Sequence, residues 1–116
     1  MTDLEELEIS VKALSEKKAE KISALKVIDI TSIANYFVIA SASSTTQAKA
    51  LADYVEYKLG EKGVTPKNIE GVSSASWIVL DYIDVVVHIF TEEKREFYRL
   101  DNLWADGEPV DISAWE

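Results

Sequence analysis

The sequence predicts an α/β (α+β) fold, in which helices flank one five-stranded mixed sheet in the order α-β-β-α-β-β-β-α. Segments with a helical repeat of apolar residues alternate with short runs rich in Val, Ile, Tyr and Phe, which favour strands. Two such runs between residues 77 and 90, separated by a few polar residues, predict a hairpin. The 116 residues are enough for a single domain over 1–116, and a chain of this length buries roughly two thirds of its unfolded surface.

The first helix is predicted over residues 3–20. Its apolar residues recur at steps of three and four positions and form one stripe: Leu4, Leu7, Val11 and Leu14. Thr2 and Glu5 have the spacing of a capping box at its start. Two strands are predicted next, over 25–30 and 36–41, because both runs are rich in β-branched and aromatic residues.

The second helix has clearer start and stop signals. Ser44 and Gln47 have the spacing of a capping box, and Gly60 or Gly63 ends the helix shortly before Pro66. The apolar face between these signals consists of Ala48, Leu51, Ala52, Val55 and Leu59. A short strand is then predicted over 67–72.

The third helix begins after the hairpin, with Thr91 as its N-cap and two glutamates in its first turn, where the helix dipole favours negative charge. It is predicted to break at Asp101. The apolar and aromatic residues assigned to this helix are Phe97, Tyr98, Leu100, Leu103 and Trp104. The tail over 106–116 has weak periodicity and is expected to be loosely ordered.

The hairpin decides which side chains share a face, since strand residues alternate between two sides. With Tyr82 and Ile83 as the turn, Asp81 faces Asp84 and Trp77 faces His88. One side is then wholly aliphatic and predicts core: Ile78, Leu80, Val85, Val87 and Ile89. The other side mixes aromatic and charged residues, which suits contact with a partner: Trp77, Val79, Asp81, Asp84, Val86, His88 and Phe90.

Composition limits the kinds of partner and the cellular location that can be expected for this chain. The net charge of −9 disfavours direct nucleic-acid binding, which depends on Lys and Arg neutralising phosphate. It favours a basic protein partner, although acidity can also serve solubility alone. The absence of Cys fits a reducing compartment. No apolar run approaches the ~20 residues of a membrane span, and the acidic start lacks the features of a signal peptide, so the cytoplasm is the expected location.

No catalytic, cofactor or metal site is predicted. His88, the one histidine, could act as a general base beside Asp81 or Asp84 or serve as a hydrogen-bonded structural residue. Across a hairpin the two aspartates would repel each other unless a cation lay between them. That cation could be a metal or a partner's Lys or Arg, or the two could simply flank a solvated turn. The phosphate-loop, HExxH and CxxC motifs are missing.

The segment W-x-x-x-D-x-x-D-V-V-V-H-I-F, from Trp77 to Phe90, resembles the ribosomal silencing factor family, also called RsfS or Iojap. The resemblance covers nearly the whole chain. The following family segment is matched by Arg95, Phe97, Tyr98, Leu100, Leu103 and Trp104. Weaker matches are Lys18-Ala19-Glu20, the run 35–41, Gln47 and Ile69-Glu70-Gly71.

The resemblance implies a non-enzymatic protein with a nucleotidyltransferase-like sheet. Such proteins bind the large ribosomal subunit through ribosomal protein L-fourteen, block joining of the small subunit and repress translation in starvation or stationary phase. They are often homodimers when free. The partner-binding role falls on Trp77, Asp81 and Asp84 as best candidates, with Tyr82, Val79, Val86 and His88 beside them.

Several positions depart from the family pattern. Ile83 stands where the family usually has Gly, and Asn35 where it usually has Asp; Thr46 and Lys21 also differ. Two other functions remain open on the residues alone. One is a degenerate nucleotidyltransferase-like domain that binds nucleotides, and the other is a homodimeric adaptor unrelated to ribosomes.

Overall fold

The computed structural model describes residues 1–99 and 106–116, and these form one mixed sheet with the strand order β3-β4-β5-β2-β1-β6. In chain order the elements are α1 (Asp3–Glu16), β1 (Glu20–Lys26), β2 (Tyr36–Ala42), α2 (Thr45–Gly60), β3 (Asn68–Glu70), β4 (Trp77–Asp81), β5 (Val85–Thr91), α3 (Glu92–Tyr98) and β6 (Glu108–Pro109). Strands β2 and β5 pair in parallel, and the other pairs are antiparallel. The predicted mixed sheet is therefore confirmed.

The sheet has a sixth strand that the sequence did not predict. Glu108 and Pro109 pair with Lys26 and Leu25 of β1. The tail after this strand contacts the core through Ile112 and Trp115. A two-residue strand is too short to show periodicity, so only the position of β1 beside it creates the pairing.

Helix α1 is shorter than predicted, and β1 begins earlier. The chain leaves the helix at Lys17, and Lys18 then adopts a φ of +64°. Glu20 therefore begins β1 instead of ending the helix. Its side chain is exposed there, so its charge does not conflict with the strand. The capping box of Thr2 and Glu5 is confirmed.

Helix α2 agrees more closely with its signals. The Ser44 hydroxyl accepts a hydrogen bond from the Gln47 N–H at 3.1 Å, as predicted for an N-cap. The Gln47 side chain accepts instead from the Ser43 N–H at 2.6 Å, so the reciprocal half of the capping box is shifted by one residue. The helix ends at Gly60. Its predicted apolar face is buried throughout.

The two long helices cover one face of the sheet, which we call the inner face. The five aliphatic hairpin residues predicted as core lie there and are fully buried: Ile78, Leu80, Val85, Val87 and Ile89. Val38 and Ala40 of β2 belong to the same core. In the predicted stripe of α1, Leu7, Val11 and Leu14 are buried, whereas Leu4 is exposed. Helix α3, which has no buried residue, packs against the other face, which we call the outer face.

The predicted hairpin register is wrong by two residues. Trp77 pairs with Phe90, and Asp81 pairs with Val86 rather than lying opposite Asp84. A shift of one residue would have exchanged the two faces, but a shift of two leaves the side chains within β4 and β5 on their predicted sides. The predicted division of the hairpin into an aliphatic and an aromatic side is thus confirmed despite the wrong pairing.

The turn explains the shift. The Tyr82 N–H donates to the Val85 carbonyl, and the Asp84 N–H donates to the Tyr82 carbonyl two residues back, both at 2.9 Å. This second bond closes a γ-turn around Ile83, whose φ is +75°. The Asp81 carboxylate accepts the Ile83 N–H at 2.8 Å and supports the turn from outside. The two residues that connect the strands are therefore Ile83 and Asp84, rather than Tyr82 and Ile83 as predicted.

We expect Ile83→Gly to raise the free energy of unfolding by about 1 kcal/mol. A β-branched residue at this φ is strained by ~1–3 kcal/mol, and glycine removes that strain while adding some entropy to the unfolded chain. Urea denaturation measures the change. Ile83→Ala is the control, because it removes the mostly exposed side chain but keeps the strain. A glycine variant less stable than the alanine variant would contradict the strained turn.

Candidate partner-binding surface

The outer face is covered at both of its ends. At one end the loop after β1 places Val27 and Ala34 over Phe37 and Val86. At the other end α3 brings Tyr98 onto the aromatic rings of β4 and β5. Between these covers, the outward side chains of β4 remain partly accessible, as do their neighbours on β3 and α3.

Trp77 is half-buried at the start of this row. Its ring stacks on Phe90, with 4.9 Å between centroids and 21° between planes. Tyr98 packs on it at 4.8 Å with a tilt of 45°. The indole Nε1–H donates to Nδ1 of His88 at 3.2 Å. The indole thus has a fixed place on the sheet, and part of it remains open to a partner.

His88 lies on the predicted side, but it is only 7% exposed. Its Nδ1 accepts from Trp77, so its own proton resides on Nε2, which has no hydrogen-bond partner among the described residues. The ring meets Phe37 edge-on at 4.9 Å between centroids. Burial lowers the pKa of His88 to about 4, although the charge of Asp81 acts to raise it. The ring is therefore neutral at pH 7. Because it is buried, it does not offer a partner the direct contact that was predicted.

Asp81 and Asp84 do not form the predicted pair. Asp81 is half-exposed on the outer face at the end of β4. Asp84 lies in the turn beside Asp3, the first residue of α1. Burial is the main cause that raises the pKa of Asp84, and the charge and hydrogen bonding of Asp3 raise it further. The two carboxylates therefore lie at different sites, because Asp84 belongs to the turn and Val86 takes the position opposite Asp81.

Tyr82 and Val86 also differ from what was predicted of them. Tyr82 is 5% exposed and packs in the inner core, where burial raises the pKa of its hydroxyl. The expectation that it stands beside Trp77 is wrong, since the turn directs its side chain to the helices. Val86 is on the outer face as predicted but is buried under the loop after β1. Val79, in contrast, is half-buried in the accessible row.

Glu70 supplies the second acidic group that the sequence analysis missed. Strand β3 pairs Glu70 with Val79 and Asn68 with Asp81, which places both β3 side chains on the outer face. Both are exposed, and the Asn68 amide donates to the Glu70 carboxylate at 2.8 Å. The match of Ile69-Glu70-Gly71 to the family pattern was the one signal in the sequence for this position.

Two aromatic residues of α3 extend the surface. Phe97 is 72% exposed and Tyr98 is 46% exposed, and their rings meet edge-on at 5.1 Å. Arg95 attaches this helix to the sheet by donating to the Lys21 carbonyl at 2.5 Å and the Ser41 hydroxyl at 3.0 Å. We call this group of accessible residues the β4 surface: Glu70, Trp77, Val79, Asp81, Phe97 and Tyr98. The predicted Leu100, Leu103 and Trp104 and the break at Asp101 lie outside the described residues.

Gly71, directly after β3, lies against the backbone of Trp77. Gly71 has a φ of +83°, and a Cβ placed on it would lie 2.0 Å from the Trp77 carbonyl oxygen. Only glycine allows β3 to approach the start of β4 this closely. Gly71 therefore controls where both Trp77 and Glu70 stand.

In the described part of the chain, His, Asp and Glu form no group of three that could hold a metal ion. Over the same residues, no helix is long and apolar enough to cross a membrane.

Comparison with known proteins relates this whole arrangement to one family. A family model described as "Ribosomal silencing factor during starvation" matches residues 1–116. Proteins named ribosomal silencing factor RsfS from Halalkalibacterium halodurans and Bacillus subtilis are each 37% identical to this chain; the first match covers 98% of this chain and 97% of the relative, and the second 91% and 90%. A crystal structure of a protein from Chromobacterium violaceum superposes with a TM-score of 0.88 at 33% identity, covering 97% of this chain and 93% of that one.

Gly71→Ala is expected to lower the free energy of unfolding by about 2 kcal/mol or more, because its Cβ meets backbone that cannot move aside and its φ is unfavourable. Gly60→Ala is the matched control. A Cβ at Gly60 meets nothing within 4 Å, and alanine favours the helix that Gly60 ends. Equal stability of the two variants in urea denaturation would contradict the close approach of Gly71 to the Trp77 backbone.

The buried neutral His88 predicts a specific dependence of stability on pH. Its folded-state pKa of about 4 lies below the ordinary 6.5, so the stability it contributes is complete above pH 6.5 and falls as the pH drops toward 4. The loss is ~3 kcal/mol.

His88→Asn does not titrate in this range and gives the reference curve. The difference in unfolding free energy between wild type and His88→Asn should shrink as the pH falls from 7 to 4. Taking this difference cancels the contribution of Asp84, which is common to both proteins. That contribution has the opposite sign, because the raised pKa of Asp84 adds stability at low pH. Parallel curves would show that His88 is not buried in its neutral form.

Proposed function

The chain belongs to the ribosomal silencing factor family, and from this premise we propose that it binds the large ribosomal subunit through ribosomal protein L-fourteen and prevents the small subunit from joining. The action is steric. A folded body of 13.0 kDa seated where the two subunits meet keeps them apart without any chemical step. Translation would fall under starvation or in stationary phase, and the protein would act without being an enzyme.

The observation that carries this proposal is the β4 surface. It presents an aromatic group that is only half-covered, and it lies on the face that α1 and α2 leave free. Tryptophan and tyrosine are enriched among residues that dominate binding energy. Trp77 would be the central anchor, with Tyr98 and Phe97 beside it and Val79 adding apolar contact.

The charges on this surface suit a basic partner. Asp81 and Glu70 flank Val79 on the outer face, and neither forms an ion pair with a described Lys or Arg within 4.0 Å. The partner's Lys or Arg side chains would meet these two carboxylates. The chain's net charge of −9 would add long-range attraction to a basic surface.

Other predicted contacts take secondary roles. Asp84 is half-exposed at the end of the sheet, and it would touch the partner only if the partner extends past the turn. Val86, His88 and Tyr82 are buried, so they would act by supporting the surface rather than by contact. The bacterial relatives favour a cytoplasmic location, and the exposed aromatic residues favour a homodimer when no ribosome is bound.

The first test is sedimentation of the protein with purified large subunits. We expect the protein to move with the subunits and to reduce the yield of joined ribosomes when small subunits are added. Protein that stays at the top of the gradient would overturn the proposal.

Trp77→Ala should weaken binding to large subunits by at least ~2 kcal/mol, or about 30-fold, because it removes the anchor. Tyr57→Ala is the matched control. Tyr57 is also an exposed aromatic residue, at 60%, but it lies on α2 on the opposite side of the sheet. Circular dichroism verifies that both variants fold, and equal affinities for the two would exclude Trp77 as the anchor.

The double variant Asp81→Asn/Glu70→Gln should bind several-fold more weakly at low salt, and the deficit should shrink as salt screens the charges. The double variant Asp53→Asn/Glu56→Gln removes the same net charge from exposed positions on α2. If both double variants lose affinity equally, overall charge rather than the β4 surface attracts the partner.

A further inference from the structure

The contact between Trp77 and His88 links an accessible residue to a buried one. The indole has a single polar atom, Nε1, and its hydrogen is directed to Nδ1 of His88 at 3.2 Å. His88 lies opposite Val79, and Trp77 lies opposite Phe90, so the bond crosses diagonally between β4 and β5. Its two partners therefore belong to different strands and their relative position is set by the sheet.

The other contacts of the indole do not determine its rotation. Stacking on Phe90 and the tilted contact with Tyr98 are apolar, and a flip of roughly 180° about the second side-chain torsion would keep the ring near the same plane while exchanging its edges. The second side-chain torsion of tryptophan is broad, so rotamer preference alone does not select one orientation. The bond to Nδ1 is directional and selects the orientation in which Nε1 points toward the sheet.

The acceptor is held as firmly as the donor. His88 is buried between β2 and β4, and its ring contacts Phe37 edge-on at 4.9 Å and lies 6.4 Å from the Phe90 ring. Asp81 is the charged group whose field reaches it. Because the ring stays neutral at pH 7, Nδ1 keeps a lone pair available for the indole.

We propose that His88 is a positioning residue for partner binding: its Nδ1 locks the Trp77 indole in one orientation, so that the accessible part of the ring meets the partner already ordered. This inference rests on the proposed function, in which Trp77 is the anchor on the large subunit. A side chain that is ordered before binding loses less entropy on association. The role of His88 is therefore indirect, since the partner never touches it.

The test compares His88→Asn with His88→Leu. The two new side chains have nearly the same shape, so both leave the same space beside Phe37, but only asparagine offers an oxygen acceptor near the place of Nδ1. We expect His88→Asn to bind purified large subunits nearly as wild type does. We expect His88→Leu to bind about 2- to 12-fold more weakly than His88→Asn, which is the effect of ordering one large side chain.

A second measurement reports the bond itself and can be made on the wild-type protein as well as on the variants. In nuclear magnetic resonance spectra the Trp77 Nε1–H signal, identified by its loss in Trp77→Phe, should exchange slowly with solvent in wild type and His88→Asn. It should exchange fast in His88→Leu. If His88→Leu does not fold, fast exchange of this signal in the wild-type protein still overturns the proposal.

The possible outcomes separate the two proposals. Wild-type protein that binds large subunits, together with equal affinities for the asparagine and leucine variants, would overturn the positioning role and leave the proposed function intact. Binding that is unaffected by Trp77→Ala would also overturn it, because no anchor would need positioning. Wild-type protein that fails to bind would overturn both.

Discussion

The structure depends on one asymmetry: the two long helices cover only one face of the sheet. Strand residues alternate between faces, so half of the side chains on β4 and β5 are buried by α1 and α2 and half are not. The uncovered half contains large apolar rings that must find other partners. They pack on one another, and the rings of Trp77, His88, Phe90 and Tyr98 form one continuous cluster.

This cluster is only partly closed. Helix α3 covers one end of the outer face, and the loop after β1 covers the other. Together they bury the outward residues of β2 and β5 and leave the row on β4 half-exposed. Strand β3 is three residues long and adds Glu70 beside that row. An aromatic centre with an acidic margin thus arises from strand order, since β4 lies between the central β5 and the short β3. A surface of this composition complements the charge of a basic protein partner.

The polar interactions on the outer face maintain this shape. The hydrogen bond to His88 satisfies the one polar atom of the indole without exposing the cluster to water. Gly71 lets β3 approach the backbone of Trp77, and Arg95 attaches α3 to the ends of β1 and β2. Each of these residues acts on the position of Trp77 from a different direction, which is why a half-buried indole can be held in one place.

The sequence by itself determined the strand and helix types, the burial of the aliphatic hairpin residues and the family resemblance. These follow from local patterns: alternation in strands, a helical repeat in α1 and α2, and the N-cap at Ser44. The tertiary structure decided the rest. The γ-turn at Ile83 moved Asp84 away from Asp81, strand pairing brought Glu70 to Val79, and the position of β1 gave the tail a partner. Those features depend on contacts between residues far apart in the chain, and periodicity along one segment carries no information about which segment will lie beside it.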